Sequence, residues 1–235
     1  SSVLNLIHVM QKYQVKSMIF SSTATVYGVP SEVPIPETAC IGNTTNPYST
    51  SKYFVERILA DLCISDSEFK VCVFRYFNPI GAHSSGLIGE NLSGIPSNLV
   101  PFIAKVAAGE MEYLNIFGCD YDSKDGTRVR DYIHVVDLAK AHICCISKLE
   151  EMDYGIVTYN LGTGVGYSVF DIVHTFENVN DVNIPYRIVD RRPGDIDFYY
   201  ADPTLAENEL CWKAELGIED MCRDTYQYVK KRGKI

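Results

Sequence analysis

The stretch VKSMIFSS, residues 15–22, is a short apolar run that ends in small polar residues, and FKVCVFRYF, residues 69–77, is a second run of the same kind. Between them residues 47–64 carry helical periodicity, with Phe54, Val55, Ile58, Leu59 and Leu62 on one stripe. Asn46 is placed to cap that helix, and Pro47 suits its first position. Strand, helix, strand in this order implies parallel strands joined by a crossover, the unit of α/β folds. Both runs are nearly continuous in apolar character, which predicts strands covered on both faces.

Upstream, SSVLNLIHVMQKY reads as a helix already under way, with Val3, Leu4, Ile7 and Met10 at helical spacing. The first residue is Ser1, so a fragment or processed product is expected. Downstream, GAHSSGLIGENLSGIPSN marks loops. A helix is expected at about 97–109. Another begins near Asp137, read as its cap, with Leu138, Ala141 and Cys145 on one stripe. IVTYNLG (156–162) predicts a strand, and SVFDIVHTF a helix opened by Ser168. GTGVG (162–166) imitates a dinucleotide loop but fails its fingerprint, because the third glycine of G-x-G-x-x-G would fall at Tyr167; a tight turn is expected.

The 235 residues, 46% of them hydrophobic, are enough for a sizeable core. A formal net charge of -9 leaves no basic face for a phosphate backbone, which argues against nucleic acid. Eight cysteines include no C-x-x-C pair, and Cys144 and Cys145 adjoin in a helical segment, so free thiols in a reducing compartment are expected. No apolar run reaches membrane-span length, and the N-terminus lacks the order of a signal peptide. These features predict a cytoplasmic protein without membrane association. His83 and His134 have no partners at metal-ligand spacing, so no metal site is expected.

NPYSTSK (46–52) places Tyr48 and Lys52 on one helix face. Such pairs are commonly surface residues. An ammonium one turn from a phenol nevertheless favours the phenolate, so the pair can supply a base if other groups complete it. Ser21, Ser22 and Thr23 in FSSTATVYG end the preceding strand, and in open α/β sheets ligands collect outside the carboxyl ends of strands. Those hydroxyls are expected to face the same crevice as the helix start.

A hydroxyl, a tyrosine and a lysine in that order resemble the catalytic set of the short-chain dehydrogenase/reductase superfamily. RYFNPIGAH (75–83), VRDYIHVVDLA (129–139), YNLGTGVGYSV (159–169) and RRPGD (191–195), together with SSTATVYG and NPYSTSK, resemble the UDP-glucose 4-epimerase family in order and spacing. The resemblance implies a Rossmann-like, doubly wound parallel sheet with its first βα units missing, and a smaller C-terminal α/β substrate domain. Residues 1–80 are assigned to the NAD-binding domain and 81–235 mainly to the substrate domain, with about 126–163 returning to the first. The implied activity is interconversion of UDP-glucose and UDP-galactose by transient oxidation at sugar C4 with NAD, Tyr48 acting as base beside Lys52 and Thr23.

The resemblance further implies that Ser21, Ser22, Tyr48, Lys52, Tyr76 and Phe77 contact the cofactor. Thr23, Ala24, Thr25, Asn78, Ser97, Asn98, Leu99, Asn115, Ile116 and Phe117 are implied substrate contacts, with Phe117 against uracil. Arg130 and Arg192 would clamp the diphosphate, Asp195 would hold the uridine ribose, and Tyr199 would gate the sugar. Ala24 and Thr25 stand where related dehydratases carry an Asp-Glu pair, so no carboxylate is present there to expel water. A homodimer is implied for the full-length protein. The alternatives are a catalytically inactive fragment, or an epimerase for UDP-pentoses or UDP-uronic acids.

Overall fold

The computed structural model describes residues 2–91, 94, 96 and 98–233. The first elements are α1 (Ser2–Lys12), β1 (Ser17–Thr23), α2 (Pro47–Ser65), β2 (Lys70–Tyr76) and β3 (Asn78–Ile80). They are followed by α3 (Leu99–Ala107), β4 (Leu114–Phe117), β5 (Val129–His134), α4 (Val135–Glu151), β6 (Gly155–Leu161) and β7 (Gly166–Ser168). The last are α5 (Val169–Asn180), β8 (Tyr186–Val189), β9 (Phe198–Tyr199), α6 (Thr204–Leu210) and α7 (Ile218–Arg232). Two compact units contain these elements. The first is Ser1–Tyr76, Lys140–Leu161 and Asp202–Trp212; the second is Phe77–Ala139, Gly162–Ala201 and Lys213–Ile235.

The first unit carries a parallel sheet in the order β1-β2-β6. Its core gathers Ile7 and Met10 of α1, Leu59 and Leu62 of α2, Phe69 just before β2, and Val71 and Val73 on it. Burying each such side chain stabilises the fold by about 1.5–3 kcal/mol. As predicted, Asn46 caps α2, its Oδ1 accepting the Ser49 N–H at 2.9 Å. Two expectations need correction. Phe54 and Leu4, assigned to apolar stripes, are exposed, because each lies on the edge of its stripe and only one side of the helix meets the sheet. Strand β1 is only partly covered, whereas β2 is buried from Val71 to Arg75; β1 pairs with β2 alone among the described strands, and β2 pairs on both sides.

In the second unit β5 is central: β3 and β9 pair with it in parallel, β7 antiparallel, and β4 and β8 form a separate parallel pair. Helices α3, α5 and α7 pack one core, in which Ile103, Ile172, Val173, Phe176 and Met221 are fully buried. Ser168 opens α5 with a reciprocal capping box to Asp171. Asp137 does not cap α4 but lies within its first turn, and one of its carboxylate oxygens accepts the Glu215 and Leu216 N–H groups at 2.9 and 2.8 Å.

The GTGVG segment is a turn built around Asp131. Asp131 Oδ1 accepts from Thr163 N and Oγ1 at 2.8 and 2.7 Å, and its Oδ2 from Gly164 N and Ala201 N at 3.0 and 3.1 Å. Glycine is required at 162 because a Cβ there would stand 2.4 Å from Asp131 Oδ2. The eight cysteines are free thiols. Among the described residues no helix is long and apolar enough to cross a membrane.

Candidate active site

The first cluster lies where β1 and β2 end and α2 begins. Extended backbone alternates its side chains, so Ser21 and Thr23 share one face of β1 while Ser22 takes the other. Ser21 Oγ pairs with Tyr76 Oη at 2.7 Å, and Tyr76 Oη with His142 Nε2 at 2.9 Å. Thr23 Oγ1 caps the short 3-10 turn Ala24–Tyr27, taking the Thr25 N–H at 3.3 Å and lying 3.1 Å from Thr25 Oγ1. Ala24 is buried within that turn, and Thr25 Oγ1 is held by Ser49 Oγ at 2.7 Å.

Tyr48 and Lys52 emerge from the first turns of α2 as the spacing predicts. Lys52 Nζ donates to the Ser21 carbonyl at 2.8 Å and stands 5.8 Å from the Tyr48 ring centre. Burial lowers the Lys52 ammonium from its ordinary value. Tyr48 is 58% exposed, open to an incoming ligand. Ser22 departs from expectation: its hydroxyl is buried on the opposite face and donates to Glu56, so it is not presented with Ser21 and Thr23.

The second cluster belongs to the second unit. Its centre is three guanidiniums, Arg128, Arg130 and Arg192, of which Arg130 and Arg192 each lie within the influence of Arg128 and of Asp195. Arg130 is half-buried, its Nη1 donating to the Val129 carbonyl at 2.8 Å; burial, then Arg128, lowers it from the usual arginine value. Arg192 is lowered by the same causes and lies over the Phe117 ring at 3.8 Å. Guanidiniums remain charged under such shifts and pair with phosphate in a planar fork. Asn78 Nδ2 donates to the Asp131 carbonyl at 2.7 Å. Tyr199 is buried between Phe77, 5.9 Å away, and Arg130, 6.0 Å away, both measured to ring centres.

Other expected contacts separate by strand and helix geometry. On β4 the side chains of Asn115 and Phe117 face outward, whereas Ile116 points into the core and offers a ligand only its backbone. Asn98 precedes α3 without a side-chain capping bond, and Leu99 packs partly against the core. Ser97 lies outside the described residues. Asp195 is already engaged, by Arg128 at 3.0 Å and the Tyr121 hydroxyl at 3.1 Å. Arg128 and Tyr121 were missed from the sequence. The R-x-R spacing of Arg128 and Arg130 was a usable signal, since alternate residues of extended chain share a face.

A parallel sheet with a hydroxyl, tyrosine and lysine at its carboxyl edge defines a reductase-like NAD fold, and residues 1–162 match the model of the NAD dependent epimerase/dehydratase family. UDP-glucose 4-epimerase of Pasteurella multocida is 54% identical over 98% of this chain, which spans 68% of that relative; the Homo sapiens enzyme is 49% identical over 98% of this chain and 66% of its own length. A solved UDP-glucose 4-epimerase from Bifidobacterium longum, in complex with NAD+ and UDP, superposes with a TM-score of 0.93 at 52% identity, covering 99% of this chain and 69% of that one. The Stenotrophomonas maltophila epimerase, with bound NAD and formylated UDP-arabinopyranose, gives a TM-score of 0.96 at 45% identity, covering 99% and 68%. The chain belongs to the UDP-glucose 4-epimerase family.

Proposed function

We propose that this chain interconverts UDP-glucose and UDP-galactose by transient oxidation at sugar C4, with NAD as cofactor and Tyr48 as base. The observation that carries the reading is the exposed Tyr48 phenol beside Lys52, whose ammonium is anchored on the strand end bearing Ser21 and Thr23. The residues fit the nicotinamide-ribose end of the cofactor. Lys52 has three donors and engages one with the Ser21 carbonyl, leaving two for ribose hydroxyls. NAD, when bound, supplies hydride acceptance and return at C4.

Tyr48 takes the proton from the sugar 4-hydroxyl, and Lys52 offsets the charge that forms on the phenol. Thr23 Oγ1, held by Thr25, hydrogen-bonds the reacting oxygen. Thr25 is itself held by Ser49, and Ala24 has no ionisable group, so neither can expel water from the keto sugar as an acid or base. Ser21 and Tyr76 shape the cofactor side of this cluster, with Phe77 the residue that follows. Arg130 and Arg192 hold the diphosphate, assisted by Asn78. Phe117 and Asn115 receive the uracil, with Asp195 near the ribose, Tyr199 beside the sugar, and Asn98 and Leu99 at the start of α3 as further contacts.

A UDP-pentose substrate is the second reading, favoured by the arabinopyranose ligand of the Stenotrophomonas maltophila relative. Exposed apolar Phe54 and Ile64 on α2 support a homodimer, and the eight free thiols support a cytoplasmic location. The deciding experiment follows UDP-galactose and UDP-arabinopyranose turnover by wild type and Tyr48→Phe. Tyr48→Phe is expected to lose roughly 10²–10⁴-fold in kcat, the usual contribution of a positioned acid-base group. Equal turnover by the variant overturns the assignment, and preference for the pentose selects the second reading.

A further inference from the structure

Under α2, on the face of the sheet opposite the Ser21 and Thr23 side chains, lies a buried polar row that the chemistry above does not use. Ser22, Arg75 and Asn160 are register partners on β1, β2 and β6, so their side chains stand side by side. Glu56 of α2 covers the row. Ser22 Oγ donates to Glu56 Oε1, while Arg75 engages both carboxylate oxygens, Nε to Oε1 at 3.3 Å and Nη2 to Oε2 at 2.7 Å. Arg75 Nη1 also donates to Tyr27 Oη at 2.9 Å, and that hydroxyl donates to Asn160 Oδ1 at 2.7 Å. Burial pushes the Tyr27 phenol up to about 12, which keeps it a donor.

Glu56 is one turn beyond Lys52, and Lys52 one turn beyond Tyr48, so the three share one side of α2. Lys52 grips the backbone of Ser21, and Glu56 grips the side chain of Ser22. Two consecutive residues of β1 are thus tied to consecutive turns of the helix. The Glu56 and Arg75 side chains are each only 6% exposed. A buried pair of this kind is weak evidence for stability, because desolvating both ions offsets their attraction, but it fixes geometry tightly.

We propose that the Ser22–Glu56–Arg75 network is a positioning device that sets the seat of α2 on β1, and through it the placement of Tyr48 and Lys52 relative to Thr23. Glu56 is the positioning residue and touches no substrate. The idea rests on the epimerase reading given above. Ser22 is its most separable member, since removing that hydroxyl breaks the side-chain tie between β1 and Glu56 while leaving the Glu56–Arg75 pair intact.

The test compares wild type, Ser22→Ala, Glu56→Gln and the exposed α2 variant Asp61→Ala in UDP-galactose turnover, normalised to bound NAD, across pH. Ser22→Ala is expected to lose roughly ten- to hundredfold in kcat, as sub-ångström to 1 Å misplacement does, with KM unchanged and a displaced pH profile. Asp61→Ala is expected to behave as wild type. Should Glu56→Gln fail to fold, Ser22→Ala still decides. Wild-type kcat and pH profile in folded Ser22→Ala overturn the proposal, because a purely structural bond would alter thermal stability alone. If wild type itself shows no turnover, the epimerase reading fails, and positioning is read from the 13Cζ resonance of Tyr48, assigned with Tyr48→Phe. A shift of that resonance in Ser22→Ala upholds the device, and an unmoved one overturns it.

Discussion

Under the proposed function, Arg192 is one side chain with work in both the free and the liganded site. Its guanidinium lies over the Phe117 ring at 3.8 Å, a cation-π contact that holds it within the influence of Arg128. On that proposal, Arg192→Ala removes one charge-assisted contact to a diphosphate, worth about 1.5–3 kcal/mol. The expected outcome is a KM for UDP-galactose raised roughly ten- to hundredfold with kcat little changed. An unchanged KM would show that Arg130 suffices. Part of this scale was legible in advance: helical spacing alone put Tyr48 and Lys52 on one face of α2. The Ser22 hydroxyl was expected in the same crevice as Ser21 and Thr23, because a run of neighbouring residues was treated as one surface when strand geometry sends alternate side chains to opposite faces. The arginine in RYF was equally silent, since its partner Glu56 lies 19 positions away and only the fold joins them.

The elements were set by local signals where those signals were strong. Asn46 and Pro47 fixed the start of α2, and through it the orientation of Tyr48. Asn46→Ala is expected to cost about 1 kcal/mol, seen as a lower midpoint in thermal or urea unfolding. Asp137 misled because an acidic residue in a first turn resembles a cap, while its carboxylate serves the distant backbone of Glu215 and Leu216. At the end of β5 His134 is buried, its Nδ1 accepting the Val136 N–H at 3.0 Å, so Nε2 carries the proton donated towards Asp224 Oδ2 at 3.3 Å. Burial lowers the His134 pKa from 6.5, against the pull of Asp224, Asp137 and Asp220. The unfolded chain therefore takes up this proton first as pH falls, and its contribution to stability, complete above about 6.5, declines below that value. Thermal unfolding at pH 7.5 and 5.5 should show a fall in midpoint that His134→Gln reduces. An identical fall in the variant would assign it to the other titrating groups.

At the scale of the whole molecule, each compact unit is assembled from three separate stretches of chain. Sequence reading found the strand-helix-strand start of the first unit because those contacts are near neighbours in the chain. It could not foresee that Asp202–Trp212 would join the same unit, since no periodicity reports a contact of that range. Strand β6 supplies the second partner of β2, whose Val71 and Val73 are fully buried together with Phe69 just before the strand. A chain ending at Ala139 would keep β1 and β2 but lose β6, leaving β2 an open edge. It is expected to lack a cooperative thermal transition by circular dichroism, whereas the full chain is expected to show one. A sharp transition in the shortened chain would show that β1, β2 and α2 fold without the third strand.

The turn around Asp131 has a meaning for attempts to build a nucleotide site into this chain. Thr163, Gly164 and Ala201 present backbone N–H groups in the manner of an anion receptor, and the guest is supplied by the protein itself. A diphosphate offered there would compete with a carboxylate tethered to its own receptor, at a local concentration no free ligand matches. What reads as a cofactor loop is a lock already holding its key.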